Sequence, residues 1–240
     1  MNTIVTINAF HDNFIYLYQY DLNKAIAIDT GDSTPVLKVL EERGLNLTAI
    51  LVTHHHRDHI GGVPELKKKT GCKIIGSDKQ RINGIDCIIE NGQVLTFGDF
   101  KINVIATPGH TRTGICYYIP QNHEGGILFT GDTLFIGGCG RLFECDAKTM
   151  WNSLQKLAAL PANTKVYCGH DYTLENYEFA LKTEPNNPVI KQRLSEIRQA
   201  IQQGKLTVPS TIAQEKATNL FMRAETSEIF AELRKQKDRF

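Results

Sequence analysis

Residues 48–62 read TAILVTHHHRDHIGG. TAILVT is short, apolar and partly β-branched, the composition of a buried strand. It runs without a spacer into His54, His55 and His56. Side chains two apart on an extended segment point the same way, so His54 and His56 aim at one metal while His55 points away. Asp58 and His59 follow where the chain must turn, next to Gly61 and Gly62, and can reach a second metal across that turn. Imidazole and carboxylate suit zinc, iron or manganese. Four candidate ligands within six residues exceed what one metal takes from a single segment.

Three further strand endings supply the remaining candidates. ATPGH ends on His110, LFTGDT carries Asp132, and VYCGH ends on His170. Each follows a glycine at a strand-to-loop position, where side chains from different strands can converge. A carboxylate such as Asp132 can bridge a pair of metals ~3.5–4 Å apart. A lone histidine is more often a hydrogen-bonded core residue, and a His-rich tract can be a solvated loop. Five of the eight histidines stand at strand ends beside glycine, together with two aspartates, and that concentration favours ligation. His11, His55 and His123 are read as ordinary histidines.

Outward from these sites, segments 3–8, 13–20, 24–29, 48–53, 73–75, 94–97, 101–105, 115–119, 127–130 and 165–168 read as strands bounded by turn residues. Helical spacing occupies 34–43, stopping at Gly44, and 147–159. Strands first in meander and then alternating with helices predict a layered α/β sandwich. After about residue 170 the texture turns helical, over 172–183, 188–203 and 225–238, with a loop-like 204–212. The chain has 240 residues, with 27 Lys and Arg against 26 Asp and Glu. A net charge of +1 argues against gripping nucleic acid by bulk electrostatics. The N-terminus does not read as a signal peptide, and no apolar run reaches the ~20 residues of a membrane span. The six cysteines include no C-x-x-C pair, which points to a reducing, cytoplasmic setting and to cysteines acting as small apolar side chains.

The string His54-x-His56-x-Asp58-His59, followed by His110, Asp132 and His170, resembles the metallo-β-lactamase superfamily. The resemblance implies an αββα sandwich over residues 1–170, with two metals at one edge, and a smaller helical, substrate-binding domain over 171–240. THHHRDHIGG, GCGRLFE, VYCGHDYT, the VPST and FMR segments and the ending KQKDRF together look like the glyoxalase II family, the hydroxyacylglutathione hydrolases. Carried over by position, His54, His56 and His110 bind one divalent ion. Asp58, His59 and His170 bind the other, and Asp132 bridges them. Zinc is the expected metal, with iron or manganese as options, and Asp58 and Asp132 also serve the chemistry. The substrate implied is S-D-lactoylglutathione, cleaved to glutathione and D-lactate by a monomer with no nucleic-acid or membrane partner. Arg141, Leu142, Phe143, Tyr172, Arg234 and Lys237 take the family's glutathione-binding positions. Without the family match, Arg234 and Lys237 read as solvated charges. Phe143 stands where some members have Tyr, Arg141 where some have Lys, and Leu220 where Pro is usual. A glutathione persulfide dioxygenase or a lactonase of the same superfamily are the alternatives.

Overall fold

The alternating TIVTINA and the aromatic run NFIYLYQ form the first two strands of the computed structural model, which describes residues 3–121 and 125–240. His123 lies outside those residues. The chain divides into two units, Met1–Ala106 with Ile115–Ile119, and Thr107–Gly114 with Pro120–Phe240.

In the first unit, β1 (Thr3–Ala9), β2 (Asn13–Gln19) and β3 (Lys24–Ile28) form an antiparallel meander. Then come α1 (Ser33–Arg43), β4 (Asn46–Leu51), α2 (Arg57–Ile60), α3 (Val63–Thr70), β5 (Lys73–Gly76) and β6 (Cys87–Ile88). The strands lie in the order β1-β2-β3-β4-β5-β6, parallel from β3 onward. Strands β7 (Val94–Phe97), β8 (Phe100–Ala106) and β9 (Ile115–Gln121) pair antiparallel. Ile15, Leu17, Ala25, Ala27, Ile50 and Val52 alternate along the central strands and bury against Val36, Leu40, Val63 and Leu66 of the helices. The Asp32 carboxylate accepts from Thr34 N at 2.8 Å and starts α1, a cap of about 1 kcal/mol. Gly44, at φ 61°, ends it as the spacing predicts. Ile28 lies opposite Leu51 in the parallel pair, so Asp29 and Thr53 emerge beside each other at the carboxyl ends.

The second unit holds β10 (Gly125–Gly131), β11 (Leu134–Phe135), β12 (Gly138–Cys139), α4 (Ala147–Ala158), β13 (Thr164–Cys168), α5 (Thr173–Thr183) and α6 (Pro188–Gln202). It ends with β14 (Ser210–Thr211), α7 (Ile212–Thr218), α8 (Leu220–Arg223) and α9 (Ser227–Lys237). Strands β10 and β13 are parallel, with Gly131 opposite Cys168. The segment read as a loop over 204–212 ends in β14, which pairs with β13. The two short helices α7 and α8 follow, where the sequence pattern gave no helix. No helix among the described residues is long and apolar enough to cross a membrane.

Candidate metal centre

In the first unit, His54, His56, Asp58 and His59 come together. The segment after β4 stays extended, so His54 Nε2 and His56 Nδ1 stand 3.0 Å apart. His55 turns aside, where Arg81 Nη1 donates to its Nε2 at 3.1 Å. Asp58 and His59 lie on the one-turn helix α2, with His59 Nε2 3.4 Å from Asp58 Oδ2. Asn13 Nδ2 donates to Asp58 Oδ2 at 3.0 Å.

Asp29, which the sequence reading missed, organises this group. It is buried at φ 53°, a backbone region that Asp and Asn tolerate better than most residues. Its Oδ1 accepts from Thr53 N at 2.8 Å. Its Oδ2 accepts from Thr53 Oγ1 at 2.7 Å and from His59 Nδ1 at 3.0 Å. Because Thr53 spends its hydroxyl proton on Asp29, it accepts from His54 Nδ1 at 3.0 Å. Both imidazoles therefore carry their proton on Nδ1 and present the Nε2 lone pair. Ligand atoms of Asp29, His54 and His59 all lie within 4.8 Å of one another.

In the second unit, His110, Asp132 and His170 come together. The parallel ends of β10 and β13, joined by Gly169 N donating to Gly131 O at 2.9 Å, deliver Asp132 and His170 side by side. His170 Nε2 is 3.4 Å and His110 Nε2 3.3 Å from Asp132 Oδ2. His110 Nδ1 donates to Arg141 O at 2.8 Å, which again leaves Nε2 as the lone-pair nitrogen. The loop carrying His110 rests on α4, where Ser153 Oγ donates to Pro108 O at 2.7 Å.

Both groups fit a divalent metal. Ligands ~2.0–2.1 Å from one ion at the tetrahedral angle stand ~3.3 Å apart, the spacing found between each Nε2 and its carboxylate neighbour.

The expected substrate residues all fall in the second unit. Arg141 and Phe143 are exposed, Phe143 at 63%, and the Phe143 ring lies 5.1 Å from that of His110. Leu142 is half-buried between them. Tyr172 stacks on His170 at 4.9 Å. Arg234 and Lys237 are not solvated charges, being only 5% and 8% exposed. Arg234 Nη1 donates to Cys139 O at 2.9 Å, and its Nη2 pairs with Asp238 at 2.9 Å. Lys237 pairs with Glu175 and lies over the Phe179 and Phe240 rings. Burial lowers the Lys237 pKa against the opposing pull of Glu175, and the neighbouring Arg234 and Arg141 charges lower it further. Three cations share one locality.

The metallo-β-lactamase superfamily model matches residues 10–170, and the hydroxyacylglutathione hydrolase C-terminus model matches 171–240. A hydroxyacylglutathione hydrolase of Brucella ovis is 44% identical, with 95% of each chain covered. The chain belongs to the hydroxyacylglutathione hydrolases of the metallo-β-lactamase superfamily. A second hydroxyacylglutathione hydrolase, from Brucella abortus, has the same 44% identity over 95% of each chain. Among solved structures, ETHE1 from Myxococcus xanthus superposes with a TM-score of 0.74 at 26% identity, covering 97% of this chain and 90% of that one. The fold of this hydroxyacylglutathione hydrolase family member is therefore the metallo-β-lactamase fold with a helical C-terminal segment.

Proposed function

We propose that this chain is a thioester hydrolase that cleaves S-D-lactoylglutathione, or a related S-2-hydroxyacylglutathione, to glutathione and the 2-hydroxy acid. His54, His56 and His110 hold one divalent ion, Asp58, His59 and His170 a second, and Asp132 is shared. Zinc fits best, with iron or manganese as substitutes. One family model runs unbroken across both donor groups, which supports this pairing. Residues 1–170 act as the catalytic domain and 171–240 as the substrate-binding domain.

Divalent ions in such a donor set polarise a carbonyl and lower the pKa of water toward neutrality. The chain's own residues supply orientation and charge. Asp29 and the Arg141 carbonyl fix which imidazole nitrogen faces the centre. Asp58, steadied by Asn13, accepts a hydrogen bond from the attacking water and aims it at the thioester carbon. The leaving thiolate has a parent pKa near ~8.5, so the bond breaks without a dedicated general acid. Arg141, Leu142, Phe143 and Tyr172 receive the tripeptide, and the charges of Arg141, Arg234 and Lys237 complement its carboxylates. Phe143 offers a ring and no hydroxyl to that contact. All six cysteines are free, in keeping with a reducing cytoplasm, and the chain acts as a monomer.

The observation that carries this reading is the match of both segments, catalytic and C-terminal, to the hydroxyacylglutathione hydrolases. It also favours thioester hydrolysis over the dioxygenase and lactonase alternatives. A substrate panel tests it: S-D-lactoylglutathione, a lactone, nitrocefin, and glutathione persulfide with oxygen uptake followed. Turnover of the thioester alone is expected, and preference for any other substrate overturns the reading.

A further inference from the structure

Between Asp132 and Arg141 the chain makes the tight hairpin of β11 and β12. Beyond the β11–β12 pairing itself, the backbone of its turn, Phe135 to Cys139, is held by side chains from the helices that follow. Asn176 Nδ2, on α5, donates to Ile136 O at 3.1 Å. Glu215 Oε2, on α7, accepts from Gly137 N at 2.8 Å. Asn219 Nδ2 donates to Gly138 O at 3.0 Å and to Glu215 at 2.9 Å, and lies 3.3 Å from Phe135 O. Arg234 Nη1, on α9, donates to Cys139 O at 2.9 Å. The four side chains are buried, so each bond replaces one that water cannot make. Glu215 is itself braced by Ser210. Gly137 sits at φ 71°, and a Cβ there would meet the Tyr177 ring at 2.5 Å, so the turn is pressed directly onto α5.

What leaves this clamp is what the metal ligands rest on. A Cβ on Gly140 would lie 2.0 Å from Asp132 O and 3.0 Å from His110 Nδ1. The next residue, Arg141, gives the carbonyl that takes the His110 Nδ1 proton at 2.8 Å. Moving the turn moves that carbonyl, and with it the constraint that keeps the His110 lone pair on Nε2. Groups that orient ligands in this way typically change metal affinity ~10–100-fold when lost.

We propose that Asn176, Glu215, Asn219 and Arg234 are positioning residues for His110 and Asp132, acting through the Phe135–Cys139 turn. The helical segment thus sets the metal affinity of the ligands as well as facing the substrate. For Arg234 this is a role beyond substrate charge, since its bonds run to Cys139 O and Asp238. The proposal rests on the assignment of His110 and Asp132 as metal ligands.

Arg234→Met and Asn176→Ala each remove one clamp bond, and Arg234→Met keeps the packing on the Phe221 ring. Zinc affinity is measured on the whole protein by competition with a chromogenic chelator. Alkylation of Cys139, which is buried with its thiol pushed up to about 11, is followed in parallel by peptide mass mapping. The expected result is ~10-fold or greater weakening of zinc in both folded variants, with faster labelling of Cys139 in Asn176→Ala. In Arg234→Met the lost guanidinium no longer holds the thiol down, which slows alkylation, so zinc affinity alone is read there. If one variant does not fold, the other decides. Unchanged zinc affinity in a folded variant, whatever its Cys139 labelling, KM or Tm, overturns the proposal. A wild-type protein that binds no zinc overturns the ligand assignment, and this proposal with it.

Discussion

Asp29→Asn separates charge and proton placement from backbone shape. Asn tolerates the left-handed backbone at φ 53° as well as Asp does, so the change leaves the turn unstrained. The carboxylate accepts three hydrogen bonds, from Thr53 N at 2.8 Å, Thr53 Oγ1 at 2.7 Å and His59 Nδ1 at 3.0 Å. An amide has one oxygen for them. If that oxygen takes the Oδ2 place, the NH2 faces the Thr53 N–H, and a buried charge-assisted bond worth about 1.5–3 kcal/mol is lost. If it takes the Oδ1 place, the NH2 faces Thr53 Oγ1 and His59 Nδ1. His59, and His54 through Thr53, must then shift protons to Nε2, the nitrogen needed for ligation. A cost of about 2 kcal/mol appears in the first case as roughly 4–8 °C in Tm of the metal-free protein, and in the second as roughly 30-fold in metal affinity. Chelator competition and thermal melts of metal-free protein measure the two. Metal affinity within about twofold of wild type, with an unchanged Tm, refutes the tautomer argument.

Asp132→Ala removes the carboxylate that both His110 Nε2 and His170 Nε2 approach. Metal content and thioester hydrolysis are expected to fall together, and elemental analysis beside the activity assay checks it. Arg141→Ala, at an exposed position, is expected to raise KM about tenfold with little change in kcat, since it serves uniform binding; an equal fall in kcat and kcat/KM contradicts that role. Burial pushes the Cys139 thiol up to about 11 and the Cys168 thiol up to about 12, against an ordinary 9.0. The unfolded chain loses those protons first, so their contribution to stability is intact below pH 9.0 and is lost as pH rises through each folded value. Urea midpoints at about pH 8 and about pH 10 should differ less in Cys168→Ala than in wild type.

The longer strands and the longer helices were legible because their apolar spacing is regular and their ends carry turn residues; the two-residue strands β6, β11, β12 and β14 are too short to show an alternation. The His54 pair was legible because an extended segment fixes alternate side chains on one side. Helices α2 and α8 are a single turn each, too short for a period to show. In α7 the inward face carries Glu215, a buried carboxylate, so the apolar stripe that marks a helix is broken where the helix is most buried. Asp29 reads as an ordinary turn residue after a strand. Its importance lies in bonds to residues 24 and 30 positions away, which no local pattern encodes. The run RKQKDR reads as a solvated face. It is drawn inward by Phe221, Phe179 and Phe240, whose rings cover Arg234 and Lys237.

Thioester turnover followed through a metal titration of the chelated protein tests the proposed mechanism most directly. Loss of S-D-lactoylglutathione absorbance is read against zinc bound in the same sample. Activity should vanish on chelation and return as zinc is restored, with full turnover near two bound equivalents. Undiminished hydrolysis by protein shown to be metal-free contradicts it.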